Sequence, residues 1–539
     1  GALVQAGVAA AFLNNSLTDN QKALMLRRAR EGWYKIIYVA PERLEMPGFQ
    51  RFAQEKLISM VTVDEAHCIS QWGQDFRPSY LRIKEFVDSL PNRPVVGAFT
   101  ATATARVRDD IRSHLELHQP YEVTTGFDRP NLYFETRRAL PSQKPKELLD
   151  LVLREGDNAG IVYCSTTKQV DETARLLQSR GIRAAAYHAK LDAEVRRKNQ
   201  DDFLYDRVQI MVATNAFGMG IDKSNVAFVL HYNMPGSMEA YYQEAGRAGR
   251  DGQPAQCILY YSGQDVATNR FLIEHGEGAP DADEETTARL REQDKERLKQ
   301  MTFYCHTADC LREYILRYFG ETPENYCGNC GNCSRNFEEA DVTREAQLLV
   351  EGIARTGQRF GAKMVLDILR GSGNARILSG GFDKLPVYGK LAGVGEKRLR
   401  AILQFLELRG FVESTGDEYP VLRLRETAED LMREDAALTM KIAREEAPAP
   451  ARKSREPVPA NPGLFDALRA LRAKLAAAQS VPAYVVFSDA TLRDMCARLP
   501  ADADEMLEVS GVGQAKFAKY GEAFLGAIRD YTDKNGIPF

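Results

Sequence analysis

The chain has 539 residues, of which 44% are hydrophobic and 27% are charged, and its net charge is −4. Because a single hydrophobic core stops growing at about 250–300 residues, this length predicts several domains. No apolar run reaches the roughly 18 residues that a membrane span needs, so we expect no membrane partner. The net charge does not indicate nucleic-acid binding and does not exclude it either, because phosphates are bound by local basic surfaces.

Short apolar runs alternate with amphipathic stretches over about the first 270 residues. The runs before residue 125 that predict buried strands are 36–39, 60–63 and 95–99. After the turn-rich segment 126–131, the predicted strands are 161–164, 210–213 and 227–230. Strands that alternate with helices form parallel sheets, so the sequence predicts two α/β lobes in tandem.

An acidic box, Asp64-Glu65-Ala66-His67, directly follows a predicted strand. Carboxylates at the carboxyl end of a strand lie where α/β sheets bind ligands. Asp64 could hold Mg²⁺ through its water shell, and Glu65 could polarise the water that attacks a γ-phosphate. Taken alone, this short string is more typical of a solvated acidic turn.

Thr100, Thr102 and Thr104 close the next predicted strand. Their hydroxyl groups could relay the state of a bound nucleotide between the lobes. A Ser/Thr-rich helix cap is the alternative, and both can hold together.

Two arginines near residue 250 complement the acidic box. Arg247 and Arg250 follow Gln243, are interleaved with glycines, and are predicted to lie one helical turn apart on one face. Two guanidinium groups facing a cleft suit an arginine finger on a phosphoryl transition state. A surface ion-pair helix is the alternative, but exposed helices rarely contain two glycines so close together.

Five of the nine cysteines lie close together, which indicates a metal site in a reducing compartment. They are Cys305, Cys310, Cys327, Cys330 and Cys333. The Cys-x2-Cys spacings allow thiolates to converge on one Zn²⁺, and a fourth thiolate would close the tetrahedron. Four thiolates leave no open position, so the site is predicted to be structural. From the spacing alone, Cys305 and Cys310 compete for the fourth place.

The remaining segments separate by composition. A helical stretch, 343–444, ends in two strand-like runs around a turn at Thr415. Residues 445–463 hold five prolines among alanines and charges, which predicts an extended linker. A small helical domain closes the chain.

Several longer motifs occur together and in a fixed order. They are Tyr38–Leu44, Asp64–His67, Cys68–Tyr80, Gly126–Asn131, Val212–Asp222 and Gln243–Arg250. On these motifs the chain resembles the RecQ family of DNA helicases, a branch of helicase superfamily 2. The resemblance covers essentially the whole chain.

The resemblance implies a multidomain α/β plus α fold. It assigns a truncated RecA-like lobe to 1–125, a second RecA-like lobe to 126–270 and a Zn-binding helical subdomain to 271–338. A winged-helix domain would occupy 339–444, the Pro-rich linker 445–463, and a helicase-and-RNaseD C-terminal (HRDC) helical domain 464–539.

The resemblance also assigns residues to sites. Gly220 and Asp222 join the nucleotide-binding residues, and His67 and Gln243 join the catalytic ones. Cys310, Cys327, Cys330 and Cys333 become the Zn²⁺ ligands, with Cys305 as a bystander. The family's aromatic-rich loop, which senses single-stranded DNA, corresponds to Gln71, Trp72, Phe76 and Arg77. Trp72 and Phe76 offer stacking faces, although burial in the core is an equal alternative from composition.

Two further DNA contacts follow from the resemblance. In the winged helix, Arg359 and Lys363 would reinforce a helix N-terminus that binds phosphate. In the HRDC domain, Lys516, Lys519 and Tyr520 would form a patch beside Gly511 and Gly513. Tight helix packing explains the two glycines nearly as well, and a plain hairpin at Thr415 is as well supported as a strand-separating wing.

The implied activity is ATP-dependent 3′→5′ DNA unwinding in recombination, repair and the SOS response. The implied cofactors are ATP, Mg²⁺ and structural Zn²⁺, and the implied location is the bacterial cytoplasm at the nucleoid. Single-stranded and tailed or forked duplex DNA are the expected substrates, and a single-stranded-DNA-binding protein is a candidate partner.

One departure from the family pattern concerns the phosphate loop. The family uses a G-x-x-x-x-G-K-[ST] loop to cradle phosphates, and the 539 residues contain no such string. We therefore expect this loop and the adenine-reading Gln motif ahead of Gly1, and no ATP hydrolysis by these residues alone. The alternatives are a DNA-stimulated translocase and a pure DNA-binding module; an RNA helicase fits the domain ensemble less well.

Overall fold

The computed structural model describes residues 7–14, 17–73, 75–218, 223–276, 283–323, 326–334, 337–415, 421–433, 435–443, 461–479 and 481–535. The chain divides into two compact units. The first comprises Gly1–Met301, Ile315–Pro323 and Glu456–Phe539, and the second comprises Thr302–Tyr314 and Glu324–Arg455. Among the described residues, no helix is long and apolar enough to cross a membrane.

Within its described residues, the first lobe contains two pairs of parallel strands and four helices. The strands are β1 (Ala10–Leu13), β2 (Ile36–Val39), β3 (Met60–Val63) and β4 (Val95–Ala98). β1 pairs with β2 and β3 with β4, both in parallel. The helices are α1 (Asp19–Arg30), α2 (Pro47–Glu55), α3 (Pro78–Ser89) and α4 (Ala105–His114), with short 3₁₀ turns at Pro41–Arg43 and Ala66–Ile69.

Each helix of the first lobe buries an apolar stripe. The strands β2, β3 and β4, which the sequence predicts to be buried, are mostly exposed or half-buried. Thr18 caps α1 through a reciprocal capping box with Gln21, and Pro47 and Pro78 open α2 and α3 at the position proline favours. The hydrophobic core of the first lobe includes Leu13, Phe49, Val63, Ile83 and Val107.

The second lobe is built on one six-stranded parallel sheet. Its strands are β5 (Leu132–Arg138), β6 (Ala159–Tyr163), β7 (Ala184–Tyr187), β8 (Ile210–Ala213), β9 (Val226–His231) and β10 (Ala255–Tyr261), in the order β5-β10-β9-β6-β8-β7. Strands β6 and β8 are buried at every residue, as expected for a sheet covered on both faces. The helices are α5 (Lys144–Glu155), α6 (Thr167–Ser179), α7 (Ala193–Leu204), α8 (Met238–Ala245) and α9 (Gly263–His275).

A long helix, α10 (Glu284–His306), leads into the cysteine-rich region, where α11 spans Leu311–Tyr318. After it, the third domain consists of α12 (Thr343–Arg355), α13 (Ala362–Leu369), α14 (Ala375–Ser379), a 3₁₀ turn (Phe382–Lys384), α15 (Glu396–Leu408) and α16 (Ala428–Leu431). β12 (Val412–Ser414) and β13 (Leu422–Leu424) form an antiparallel hairpin.

The third domain has one pairing that the sequence analysis did not predict. β11 (Phe337–Asp341) and β14 (Thr439–Ala443) pair antiparallel over five residues and so join the two ends of the domain. The partners lie about 100 residues apart along the chain, so no local pattern announces them. The predicted turn at Thr415-Gly416-Asp417 lies, beyond Thr415, outside the described residues.

The last domain is helical. It contains α17 (Pro462–Ala478), α18 (Ala483–Val486), α19 (Asp489–Arg498), α20 (Ala503–Leu507), α21 (Gln514–Lys516), a π turn (Phe517–Gly521) and α22 (Glu522–Asn535). Helix α17 begins at Pro462, inside the segment expected to be linker, because proline is well suited to the first turn of a helix. The rest of that linker, 445–460, lies outside the described residues.

Candidate active site and nucleic-acid interfaces

The acidic box lies in the turn that follows β3. Asp64 is exposed and Glu65 is half-buried, and the Glu65 amide donates a 2.9 Å hydrogen bond to Asp64 Oδ1. Glu65 has a left-handed backbone with φ of 49°, which is uncommon for a residue with a side chain. The Ala66 amide donates to the Phe99 carbonyl at the end of β4, so two strands hold the turn in place.

Burial perturbs both titratable groups behind Asp64. It raises the pKa of the Glu65 carboxyl, Asp64 raises it further, and the Arg247 guanidinium opposes the rise. Burial lowers the pKa of His67, whose side chain is 2% exposed, so its imidazole is neutral near pH 7. A half-buried carboxylate with a raised pKa is a better proton acceptor than a solvated one.

His67 connects the acidic box to the threonine segment. Its Nδ1 atom lies 2.9 Å from Thr100 Oγ1 and 3.4 Å from Glu65 Oε2. Thr100 Oγ1 in turn accepts a hydrogen bond from the Thr102 amide. Thr104 is the N-cap of α4, but its side chain makes no capping hydrogen bond. The contact with His67 therefore ties Thr100 to the acidic box, whereas the helix-cap reading lacks its hydrogen bond at Thr104.

The prediction that Arg247 and Arg250 share one helical face is wrong. Helix α8 ends at Ala245, and residues 246–250 follow it as consecutive turns. Arg247 is 8% exposed, whereas Arg250 is exposed. The glycines at 246 and 249 end the helix, because glycine loses more backbone freedom in a helix than any other residue. Gln243, in the last turn of α8, is half-buried.

Arg247 is packed against the loop that follows β8. Its NH1 atom donates a 2.5 Å hydrogen bond to the Gly218 carbonyl oxygen. A Cβ atom at position 218 would lie 2.1 Å from the Arg247 NH2 atom, so the approach requires glycine. Gly220 and Asp222, predicted to bind nucleotide, lie just beyond this point and outside the described residues.

The residues present fit a bound Mg²⁺–nucleotide in two respects. Glu65 Oε2 and Arg247 Nε are both buried, and within the described part of the chain neither has a hydrogen-bond partner. Buried unpartnered polar atoms are rare in native structures and are explained when a water or ligand completes them. The Arg247 guanidinium also lowers the pKa of the Glu65 carboxyl. A carboxylate and a guanidinium of this kind can bind a water molecule and a phosphoryl group between them.

The aromatic-rich loop divides into an exposed and a buried aromatic residue. Trp72 is 37% exposed, and the guanidinium carbon of Arg106 lies 3.1 Å from the centroid of its ring. Phe76 is 8% exposed, so as placed here it offers no stacking face. The core alternative therefore describes Phe76, and the stacking interpretation stays open for Trp72 alone.

The polar residues of this loop are more accessible. Gln71 and Arg77 are half-buried, and the Arg77 NH2 atom donates a 2.8 Å hydrogen bond to Asp75 Oδ2. Ser70, at the start of the loop, donates to Asp110 Oδ2 over 2.6 Å. These contacts hold the loop against α4 on the surface of the first lobe.

Four cysteines converge in the second unit. The Sγ atoms of Cys310, Cys327, Cys330 and Cys333 all lie within 4.8 Å of one another. Two of these pairs are 4.0 Å apart, Cys310 with Cys330 and Cys327 with Cys333. Ligands at about 2.3 Å from a tetrahedral Zn²⁺ are about 3.8 Å apart, so the four sulfurs fit a Zn²⁺ ion. Cys305 is outside this group, as predicted.

Models of five protein families match successive segments of the chain. The DEAD/DEAH box helicase family matches residues 4–111 and the helicase conserved C-terminal domain matches 143–252. The RecQ zinc-binding domain matches 263–334, the RQC domain 336–449 and the HRDC domain 461–528.

Full-length relatives decide the family. The chain is 42% identical to the ATP-dependent DNA helicase RecQ of Bacillus subtilis over 531 residues, 98% of this chain and 86% of that protein. It is 36% identical to the RecQ helicase of Haemophilus influenzae, covering 97% of this chain and 84% of that one. The chain belongs to the RecQ family of DNA helicases. Its four-cysteine cluster is accordingly the family's structural zinc site.

Solved structures were compared as well. Saccharomyces cerevisiae Dbp5 bound to RNA and ADP BeF3 aligns over 54% of this chain and 74% of its own, with 19% identity and a TM-score of 0.40. The family assignment rests on the RecQ relatives and the five domain matches.

In the RQC winged-helix domain, the two predicted phosphate-binding residues flank a helix start. Gly361 is the N-cap of α13, and Arg359 and Lys363 are exposed on either side of it. The exposed first-turn amides and the two cations are compatible with the predicted phosphate contact.

In the HRDC domain the predicted patch loses one member. Lys519 is exposed and Lys516 is half-buried, its pKa lowered by burial. Tyr520 is 5% exposed and its hydroxyl donates to Gln479 Oε1, so Tyr520 belongs to the core rather than to the patch.

The two HRDC glycines, Gly511 and Gly513, differ in whether a side chain would fit at their positions. A Cβ atom at Gly511 would lie 2.4 Å from Thr491 Oγ1, and φ there is +85°. At Gly513, the N-cap of α21, a Cβ atom would meet nothing within 4 Å. Tight packing therefore explains Gly511 but not Gly513.

Sequence reasoning missed the residues that support the candidate sites. Arg106 covers Trp72, and Arg129 and Asn131 bind the arginine-bearing loop. Arg129 and Asn131 stand inside the Gly126–Asn131 motif, which the sequence analysis treats as a turn-rich segment between the lobes and as one of the motifs of the family resemblance. Polar side chains in a motif otherwise suited to a turn were the available signal.

Proposed function

We propose that this chain is the motor of an ATP-dependent helicase that moves 3′→5′ on single-stranded DNA and separates duplexes in recombination and repair. The observation that carries the proposal is a buried polar atom without a hydrogen-bond partner on each of two residues, Glu65 in the first lobe and Arg247 in the second. The Arg247 guanidinium also opposes the rise in the pKa of the Glu65 carboxyl. Opposite charges contributed by two lobes are suited to phosphoryl transfer between them.

Within the site, each residue would have one task. Asp64 would hold Mg²⁺ through its water shell, and Glu65 would accept a proton from the attacking water. Arg247 and Arg250 would stabilise negative charge on the transferred group, assisted by Gly220, Asp222 and Gln243 in binding the nucleotide. Bound ATP supplies the phosphoryl group whose transfer drives motion.

DNA would be bound outside this site. Trp72, with Gln71 and Arg77 beside it, would stack on a base of the single strand, and His67 and Thr100 would link that loop to the acidic box. Arg359, Lys363, Lys516 and Lys519 would bind phosphates of tailed or forked duplexes. We also propose the domain bounds within which these residues act. They are 1–125, 126–270, 271–338, 339–444, 445–463 and 464–539.

The cellular location and the partner that we propose follow from this activity. Such a motor would act on DNA in the cytoplasm, at the nucleoid, and during the SOS response, beside a single-stranded-DNA-binding protein that covers the released strand. The 539 residues contain no G-x-x-x-x-G-K-[ST] string, so we also propose that they do not hydrolyse ATP by themselves.

The second candidate function is DNA-stimulated translocation without strand separation. The exposed Trp72 beside the acidic box favours DNA stimulation, whereas the tip of the β12–β13 hairpin, where a strand-separating wedge would lie, is outside the described residues. An unwinding assay on a tailed duplex separates this candidate from the helicase.

The experiment that tests the proposal is ATP hydrolysis with and without single-stranded DNA. It compares these 539 residues with a longer version that carries a G-x-x-x-x-G-K-[ST] loop ahead of residue 1. DNA-stimulated turnover only in the longer version is the expected result. Turnover by the 539 residues would contradict the proposed need for that loop, and DNA binding without turnover by either would favour a binding module.

Two matched variants, at Glu65 and at the control position Glu85, test the catalytic role of Glu65. Glu65→Gln in the longer version should lower kcat by at least about 100-fold with unchanged DNA binding, since general-base catalysis contributes about 10²–10⁴-fold. Glu85→Gln, in α3 of the same lobe, is the control and should leave kcat unchanged.

A further inference from the structure

The segment that joins the two lobes is bound along its length to α8 and to the turns that carry Arg247 and Arg250. We name residues 126–131 the connector and residues 246–250 the arginine loop. The Tyr242 hydroxyl, one residue before Gln243 in α8, donates a 2.7 Å hydrogen bond to the connector's Phe127 carbonyl. The Phe127 amide donates to Glu321 Oε1 over 2.6 Å, and two connector side chains, Arg129 and Asn131, donate to carbonyl oxygens of the arginine loop and of Gln253.

Arg129 binds three carbonyl oxygens of the arginine loop. Its NH1 atom donates to Gly246 over 3.2 Å, and its NH2 atom donates to Ala248 over 3.1 Å and to Gly249 over 2.9 Å. The last carbonyls of a helix have no partner within the helix, and here one guanidinium satisfies carbonyls just beyond the end of α8. Only arginine offers five donors in a planar fork that reaches several oxygens at once.

Asn131 completes the support from the other side. Its Nδ2 atom donates 2.8 Å hydrogen bonds to the carbonyl oxygens of Gly249 and Gln253. Gly249 has φ of +55°, and a Cβ atom there would lie 2.5 Å from Asn131 Nδ2. A side chain at position 249 would therefore clash with Asn131 and would disfavour the left-handed backbone, so this position favours glycine on both grounds.

The connector's hydrogen bonds to residues 246, 248 and 249 hold the backbone from which both arginines project. We propose that Arg129 and Asn131 are positioning residues for Arg247 and Arg250, so that movement of the connector between the lobes shifts the arginines. The effect on catalysis rests on the proposed function. The support of the arginine loop by Arg129 and Asn131 does not depend on it. A displacement of about 1 Å at a reacting group costs about 100-fold in rate, so four hydrogen bonds to the arginine loop and a fifth to Gln253 are a strong constraint.

The structural part is tested by amide hydrogen exchange on the 539-residue chain. Arg129→Gln, Arg129→Lys and Asn131→Ala are compared with Arg138→Gln, whose parent is an exposed arginine at the end of β5. Exchange in 246–253 is expected to rise about tenfold in Arg129→Gln and less in Arg129→Lys, which keeps the charge but not the fork. Asn131→Ala should raise exchange mainly at 249–253, and Arg138→Gln should change nothing there.

Two exchange results would overturn the inference. One is an unchanged arginine loop in Arg129→Gln and Asn131→Ala. The other is an equal rise throughout β5–β10, which would mean that Arg129 supports the whole lobe. If Arg129→Gln does not fold, Arg129→Lys and Asn131→Ala decide the question by the same criteria.

The catalytic part is tested in the longer version with the phosphate loop. Arg129→Gln should lower kcat for ATP by at least about tenfold with KM for ATP and DNA binding within about twofold, and Arg129→Lys should restore part of kcat. Unchanged kcat in a variant whose arginine loop exchanges faster would overturn the positioning role. If the unsubstituted longer protein does not turn over ATP, the proposed function fails, while the exchange result still decides the loop contacts.

Discussion

At the scale of single residues, burial separates side chains that the sequence presents as equivalent. Trp72 and Phe76 stand four residues apart in one motif, yet only Trp72 is exposed. Lys519 and Tyr520 are neighbours, and only the lysine reaches the surface. A stacking or phosphate-binding role requires an accessible side chain, so the candidate DNA contacts are reduced to the exposed member of each pair.

Truncation of the two aromatic residues should therefore have opposite consequences. Phe76→Ala should lower the free energy of unfolding by about 3 kcal/mol, because it removes a buried aromatic ring and leaves a cavity. Trp72→Ala should change stability by less than about 1 kcal/mol and weaken binding of single-stranded DNA by about 1–3 kcal/mol, the contribution of one stacked base. Denaturant unfolding and fluorescence anisotropy measure the two effects, and equal loss of stability in both variants would contradict the assignment.

His67 predicts a pH dependence of stability. Burial lowers its pKa in the folded state below the ordinary value of about 6.5, so as the pH falls below 6.5 the unfolded chain takes up a proton that the folded chain does not. The stability associated with neutral His67 is thus complete above pH 7 and is lost as the pH falls toward the folded pKa.

Replacement by glutamine isolates this contribution. His67→Gln should be less stable than the unsubstituted chain at pH 7.5, because it loses the fit around the imidazole, and the difference should shrink at pH 5.5. Denaturant unfolding at several pH values measures it. A difference that is constant with pH would mean that His67 titrates alike in both states.

At the scale of elements, the ends of helices decide where functional groups lie. Helix α8 ends at Ala245 before the two arginines, and α21 begins after Gly513 beside Lys516. Glycine marks both ends: Gly246, with φ of −63°, is the C-cap of α8, and Gly513 is the N-cap of α21, where a Cβ atom would meet nothing within 4 Å. Sequence spacing locates such ends to within a few residues, which is too coarse to fix the direction of a side chain.

The two HRDC glycines give a matched test at this scale. Gly511→Ser should destabilise the HRDC domain by about 1–3 kcal/mol, because the new side chain meets Thr491 and the backbone has positive φ. Gly513→Ser should be neutral to within about 0.5 kcal/mol, since serine caps a helix as well as glycine does. Hydrogen exchange over 461–535 in the full chain measures both, and similar values for the two variants would contradict the distinction.

At the scale of the whole molecule, the four-cysteine cluster brings together segments that are distant in the chain. Its ligands come from two parts of the second unit that are separated in the chain, Cys310 in 302–314 and the other three after residue 324. A structural Zn²⁺ contributes roughly 10–16 kcal/mol of binding free energy to folding, which is far more than such short segments could obtain from burial.

Zinc content and its loss give the prediction at this scale. The purified chain should hold one Zn²⁺, Cys327→Ser should lose it, and Cys305→Ser should keep it, as measured by elemental analysis. Removal of the metal by a chelator should increase hydrogen exchange across 302–334 while β5–β10 of the second lobe stay protected. Loss of zinc in Cys305→Ser would contradict the choice of ligands.

The sequence by itself determined the class of the protein, because hydrophobic periodicity and motif order are local properties of the chain. The strands at 36–39, 60–63 and 210–213 occur at the predicted residues, and the four zinc ligands were identified from spacing and family resemblance. These features depend on neighbours within a few residues or on rigid spacing rules.

Only the tertiary structure decided which side chains meet and which are covered. Arg129 reaches carbonyls more than 115 residues away, His67 reaches Thr100, and β11 pairs with β14 across the third domain. Such contacts arise from packing of elements that are distant in the chain, which leaves no periodicity in the sequence. For the same reason the burial of Phe76 and Tyr520, and the end of α8 before Arg247, became visible only in the folded chain.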